Sequence, residues 1–320
     1  MKIDKTTLDQ LPDYLRNRWA VLGFIIFSLC VFILVGIGSQ SGRQASVPNS
    51  LWPNDSGLIK QSFASVNELE NYLDSSGIEW MPPSGAVIPP LTIDAFPEDI
   101  VTVSDVRRKK SLFFRSLLPI VLVENHNISL QRDHVLELKR IGHQNLTLEE
   151  YTWLQSIAQW YRVEWDVASE DFWLNLFQRI DRIPVPLVLA QAANESAWGT
   201  SRFALQGNNL FGQWTFDESK GLIPKGRKEG ERHAVQIFSS LQDSVREYMR
   251  NLNTHRAYKS FREARAGYRR LGEPLQADRL AQGLLPYSQR GEAYVEEIRS
   301  MIKGNRLTML KDVELEASPQ

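Results

Sequence analysis

Hydrophobic and polar positions follow several distinct rhythms along this chain. Residues 19–37 carry no charge at all, and a run of that length crosses a bilayer as one helix. Residues 39–59 are rich in Ser, Gly, Pro and Asn and read as a linker. Ser65-Val66-Asn67-Glu68 has the form of a capping box and predicts a short helix through Leu73, stopped near Gly77. Pro82, Pro83, Pro89, Pro90 and Pro97 then predict extended chain lying over the rest of the protein. Apolar spacing predicts helices over 111–125, 130–141 and 148–161. Trp153, Trp160 and Trp165 follow that spacing and read as core.

The second half changes rhythm. Residues 187–193 are apolar except for Gln191 and open after Pro184 and Pro186, which suit a first helical turn. With no polar face, this helix should be buried on all sides. Residues 213–216 and 235–238 alternate with period two and predict a hairpin. Its long tip, with Gly221, Gly226 and Gly230, should be mobile. Ser240 to Asp243 caps a helix carrying Leu241, Val245, Tyr248 and Leu252 on one face. Helices over 257–271, closed by Gly272, and 291–303 follow, and 305–320 reads as a frayed tail. The fold class is α+β, mostly helical, with one small hairpin and a transmembrane helix in front.

Charge and composition narrow the function. Lys+Arg 37 against Asp+Glu 38 leaves no field that would attract nucleic acid. The 5 histidines show no close pairing, and 1 cysteine, Cys30 inside the apolar run, makes neither a disulfide nor a cysteine-based metal site. No metal or organic cofactor is expected. Lys2, Lys5, Arg16 and Arg18 precede the apolar run, and only Arg43 follows it before Lys60. That bias places 1–18 in the cytoplasm, 19–38 in the membrane as a signal-anchor, and the rest outside, periplasmic in a Gram-negative cell. A cleaved signal peptide is the competing reading, and the length of the run favours the retained anchor. The remainder divides into a linker (39–60), an accessory region packing on the catalytic domain (61–165), the catalytic domain (166–304) and the tail. Arg107-Arg108-Lys109-Lys110 reads as a solvated helix start.

The candidate chemistry centres on Glu195, a carboxylate at the end of an almost wholly apolar segment. A lone glutamate at a helix end usually faces solvent. Apolar surroundings instead raise a carboxyl pKa, as a general acid requires. Gln191 lies one turn earlier on the same face. Ser196, Trp198, Gly199 and Ser201 follow, then Asn208-Asn209-Leu210-Phe211-Gly212. The indole of Trp198 is expected to pack under the glutamate.

These two motifs resemble the signature of bacterial peptidoglycan β-N-acetylglucosaminidases (mannosyl-glycoprotein endo-β-N-acetylglucosaminidase-like), over about residues 180–303. The upstream stretch with Phe113-Phe114 and 117–125 is similar to the Bax-type bacterial members. The resemblance implies a lysozyme-like domain that cleaves the β-1,4 bond after N-acetylglucosamine in peptidoglycan glycan strands. It implies Glu195 as the acid, Asn208, Phe211 and Trp214 as the sugar-binding floor, and Tyr287 and Tyr294 bordering the cleft. It also implies a second carboxylate on the hairpin, from among Asp217, Glu218, Glu229 and Glu231. Glu231, then Glu229, is favoured because both lead into the returning strand. His233-Ala234 departs from the family pattern, which has an acidic residue beside the histidine. The substrate's acetamido group is therefore a second candidate for the assisting role. A lytic transglycosylase and a non-catalytic wall-binding or scaffold protein are the alternative functions.

Overall fold

The computed structural model describes residue 51, residues 58–227 and residues 230–316. The cytoplasmic segment, the anchor at 19–38, most of the linker and Glu229 lie outside the described residues. No helix among the described residues is long and apolar enough to cross a membrane.

The elements, in order, are β1 (Ile59–Gln61), α1 (Val66–Ser75), β2 (Val87–Ile88), β3 (Leu91–Ile93), α2 (Val106–Ile141), α3 (Leu148–Trp160), α4 (Glu170–Arg179), α5 (Val185–Glu195) and α6 (Arg202–Gly207). They continue with β4 (Trp214–Thr215), β5 (Gly221–Leu222), β6 (Ala234–Gln236), α7 (Leu241–Thr254), α8 (Lys259–Leu271), α9 (Ala277–Leu280), α10 (Glu292–Gly304) and β7 (Glu314–Leu315). The fold is mostly helical with a few short strands.

One helix replaces the two expected over 111–125 and 130–141. No glycine or proline interrupts 126–129, and Ile128 in that gap is 4% exposed and tied to the core. The Asn125 side chain also brackets the Ile183 peptide, donating to its carbonyl at 2.8 Å and accepting from its N–H at 2.9 Å. Pro119 removes one backbone hydrogen bond inside α2. The fully buried neighbours Phe113, Phe114, Leu117, Leu118, Ile120 and Val121 hold the helix through it. At its start, Asp105 accepts from the Arg107 and Arg108 N–H groups at 2.7 and 3.1 Å.

The basic run that opens α2 is used internally rather than simply solvated. Arg108 pairs with Glu70 at 2.6 Å, and Lys110 lies 4.7 Å over the Trp198 ring while donating to Asn305 Oδ1 at 3.0 Å.

The proline-rich stretch is extended and stitched at both ends. β1 pairs in parallel with β3, and β2 pairs in parallel with β7 from the far end of the chain. The frayed tail expected over 305–320 is therefore not observed as far as Glu316. Leu307 and Leu310 are 0% and 2% exposed, so burial of these side chains holds a 3₁₀ turn against α5. The expected hairpin gains a third strand. β5 forms within its tip, and the sheet order is β4-β6-β5, all antiparallel neighbours.

α5 runs through the centre. Residues 187–193 are all buried, between α2, α10 and the turn at Leu307–Asp312. Residues of the upstream helices and of the second half share one hydrophobic cluster.

Candidate active site

The site is built where α5 stops. Ser196 ends the helix, and Ala197, Trp198 and Gly199 all take positive φ (51°, 62° and 78°). The Trp198 N–H bonds back to the Ala193 carbonyl at 3.0 Å, which closes the helix end. The buried Ser196 hydroxyl donates to the Ala192 carbonyl at 2.6 Å and accepts from the Gly199 N–H at 2.8 Å. This serine ties the turn and presents no free hydroxyl. Trp198 packs edge-on against Phe113 and Phe114, with centroids at 5.8 and 5.3 Å, under the Lys110 ammonium. The turn thus steers the indole onto α2 rather than under the glutamate.

Gly199 fits for two reasons: its φ is left-handed, and a Cβ there would fall 2.9 Å from two atoms of the Phe96 ring. Gly199→Ala is expected to cost about 1–3 kcal/mol of stability, read as a lower urea midpoint at unchanged m-value.

Glu195 is half-buried at the last position of α5. Burial raises its pKa above the ordinary 4.5, against hydrogen bonds from Tyr294 and Asn194 and the Arg290 charge, which favour the carboxylate. The negative end of the helix dipole pushes in the same direction as burial. The Tyr294 hydroxyl donates to Glu195 Oε1 at 2.8 Å, and Asn194 Nδ2 lies 3.3 Å from the same oxygen. Behind Tyr294, Gln191 Nε2 donates to its hydroxyl oxygen at 2.8 Å, and the Tyr248 hydroxyl donates to Gln191 Oε1.

Stacked rings hold this arrangement. Tyr287 lies parallel to Tyr294 at 5.4 Å, and Phe211 lies parallel to Tyr248 at 3.9 Å. The Tyr287 hydroxyl donates to the Phe211 carbonyl at 2.8 Å. Burial first, and the nearby Glu195 charge among the further causes, keep the phenols of Tyr248, Tyr258, Tyr287 and Tyr294 well above their usual pKa. All four remain protonated, and Tyr248, Tyr287 and Tyr294 donate their hydrogens. Burial therefore favours the protonated acid over that of an exposed glutamate, and the Tyr294 hydrogen bond fixes its position.

Not every residue expected on the sugar-binding floor or at the border of the cleft has a face to offer. Tyr294 is 1% exposed and Phe211 3%, so neither ring presents a surface for stacking; one touches Glu195, and the other supports Tyr248. Tyr287 is half-buried. Asn208 caps α6 in the left-handed region (φ 51°), a conformation asparagine tolerates. Its Nδ2 donates to the Phe238 carbonyl at 3.2 Å, and its Oδ1 is buried without a protein partner. Asn209 folds the next turn, donating to the Gln213 and Gln236 carbonyls at 2.9 and 2.8 Å.

On the small sheet, Trp214 meets the His233 ring edge-on at 4.5 Å, and His233 Nε2 lies 3.6 Å from Glu231 Oε2. These three form one cluster. Glu218 is instead engaged with Arg227 at 2.7 Å, and Asp217 accepts from Ser219 and faces Lys220 at 3.4 Å, both in the exposed loop. Among the described residues, no three His, Cys, Asp or Glu side chains gather into a group that would hold a metal ion.

The network behind Glu195 is only partly written in the sequence. Gln191 shares a helical face with Glu195, but Tyr248 and Tyr294 sit at helical spacings indistinguishable from core positions. Only the packing of α7 and α10 against α5 brings them together.

The glucosaminidase family, described as mannosyl-glycoprotein endo-β-N-acetylglucosaminidase, matches residues 174–307. That span contains Glu195, the turn after it, the small sheet and the tyrosines. Protein bax of Escherichia coli (strain K12) is 33% identical over 202 residues, which cover 62% of this chain and 70% of that protein. No solved structure matches the chain. Identity of 33% over 70% of that relative, together with the glucosaminidase match, places this chain in the Bax-type group of the glucosaminidase family.

Proposed function

We propose that this protein is a peptidoglycan hydrolase that cleaves the β-1,4 bond after N-acetylglucosamine, with Glu195 as general acid. The single observation that carries this reading is a carboxyl group kept protonatable by burial and gripped on one oxygen by Tyr294. In this reading Glu195 protonates the glycosidic oxygen as the bond to C1 breaks. Water then adds to C1, activated by Glu231 or preceded by attack of the substrate's acetamido oxygen. Trp214 and Tyr287, both partly exposed, contact the glycan. The mostly helical frame with a few short strands is consistent with a lysozyme-like domain. The same reading places the domain outside the cytoplasm, tethered to the membrane through residues 19–38.

Product analysis tests the proposal. Peptidoglycan is digested with residues 40–320, reduced with borohydride and analysed by mass spectrometry. Reduced N-acetylglucosamine ends are the expected product. Ends carrying 1,6-anhydro-N-acetylmuramic acid would replace the proposal with a lytic transglycosylase. Retained binding without cleavage would replace it with a wall-binding scaffold.

A further inference from the structure

Four side chains form one file through the interior: Tyr248, Gln191, Tyr294 and Glu195. Their chemistry gives the file a direction. An amide has one accepting end and one donating end, and a phenol has a single hydrogen. Tyr248 hands its hydrogen to Gln191 Oε1, which turns Nε2 towards Tyr294. The Tyr294 oxygen then accepts from Gln191, and its own hydrogen is directed to Glu195 Oε1.

The opposite sense is disfavoured at both ends. Tyr248 is 1% exposed, and among the described residues its hydroxyl has only Gln191 as partner, so a reversed amide would leave that hydrogen without an acceptor. Glu195 would also have to spend its proton on Tyr294 instead of a substrate.

We infer that Gln191 and Tyr248 are positioning residues for the acid: they confine Tyr294 to donating onto Glu195 Oε1, so that the transferable proton sits on Oε2. The inference rests on Glu195 being the acid proposed above. Three bonds polarised in one direction also strengthen the last of them, so the two remote groups bear on how readily Glu195 ionises. The other groups that act on Glu195 are Arg290 and Glu297 from the segment carrying Tyr294, Asn194 beside it on α5, and the phenols of Tyr287 and Tyr258. None of these lies in the file, so changes at Gln191 or Tyr248 leave them in place.

The test follows the Glu195 carboxyl by NMR in protein carrying ¹³C-labelled glutamate, its signal assigned by disappearance in Glu195→Gln. Gln191→Met removes the link with little change in volume, and Tyr248→Phe removes one oxygen. The Glu195 titration should move to higher pH in both, further in Gln191→Met, because the carboxylate loses donor strength. On soluble glycan strands, kcat should fall about 10-fold in Gln191→Met, a fraction of what acid catalysis supplies, with KM unchanged and the alkaline limb shifted with the titration.

An unmoved titration in both variants overturns the inference. A loss of thermal stability with wild-type kcat and titration overturns it too, because it would show a merely structural role. If Gln191→Met fails to fold, Tyr248→Phe carries the test alone. If Glu195→Gln still cleaves, the proposed acid is wrong, yet the NMR titration still decides whether the file reaches Glu195.

Discussion

Glu195→Gln is expected to lower glycan cleavage by about 10²–10⁴-fold, the span that a positioned general acid contributes, while the fold persists. The amide oxygen can still accept from Tyr294 and Asn194, so the local hydrogen bonds survive. What disappears is a proton that can leave. Stability should shift in a direction that a damaged fold would not give. Burial raises the Glu195 pKa above 4.5, so the folded state binds more protons than the unfolded chain as pH rises from 4.5 to the raised value. The wild type therefore loses stability across that window and keeps the deficit above it. The glutamine variant lacks the deficit and should unfold at an equal or higher denaturant concentration at neutral pH. The same raised value sets the alkaline limb of wild-type activity, because a general acid works only while protonated. Wild-type rates with a stably folded Glu195→Gln would remove Glu195 from the chemistry.

The residue at the centre of this prediction was legible in the sequence for a physical reason. A charge is costly inside an apolar run, and Glu195 ends an almost wholly apolar segment. The buried course of α5 and the cap of α7 at Ser240 were legible on the same basis, through hydrophobic period and capping chemistry. Gln191 was legible from its place on the same helical face, but the hydrogen bonds that Tyr248 and Tyr294 make around the acid were not. Tyr248 and Tyr294 occupy positions whose spacing specifies only that they face inward, and an inward tyrosine carries no mark of the group its hydroxyl meets. The single helix over 106–141 reads as two because the period weakens around His126 to Ser129, where Asn127 is buried and Ser129 bonds back to the Asn125 carbonyl. The β2–β7 pairing joins segments more than 220 residues apart, and such contacts leave no local pattern. Glu231 remained one hairpin carboxylate among several, since only the folded sheet sets it beside His233 and Trp214.

The second large effect concerns what holds the start of α5. Arg265 is fully buried on α8 and reaches the segment ahead of α5 with most of its donors. It donates to the carbonyls of Gln178, Asp181 and Arg182 at 2.9, 3.0 and 3.2 Å and to Asn253 Oδ1 at 2.7 Å. Its Nε lies 3.6 Å from the Asp181 carboxylate, which Arg269 also grips at 2.6 Å. Burial pulls the Arg265 pKa down to about 10, still far above neutrality, so the group stays charged. Burial also pushes Asp181 up, but the Arg269 hydrogen bond and the Arg265 and Arg132 charges outweigh it and hold the carboxyl below 3.8.

Arg265→Met keeps the apolar stem and deletes the fork. It removes the Arg265 donors from the Gln178 and Arg182 carbonyls and from Asn253 Oδ1, leaves the Asp181 carbonyl with Asn253 Nδ2 alone, and leaves the Asp181 carboxylate short of a charge. Breaking a buried pair from one side costs about 3–5 kcal/mol, which for a domain of this size lowers Tm by roughly 6–20 °C. The pH dependence has a definite sign. A depressed carboxyl adds stability above its unfolded pKa of 3.8 and loses it as pH falls through the lower folded value. Removing Arg265 raises that folded value, so the variant should gain less from Asp181 ionisation and show a shallower acid-side loss. Thermal unfolding of wild type and variant across acid pH measures both effects. A Tm within 2 °C of wild type would mean that Arg269 alone satisfies Asp181, and that the polar buttress ahead of α5 contributes little to stability.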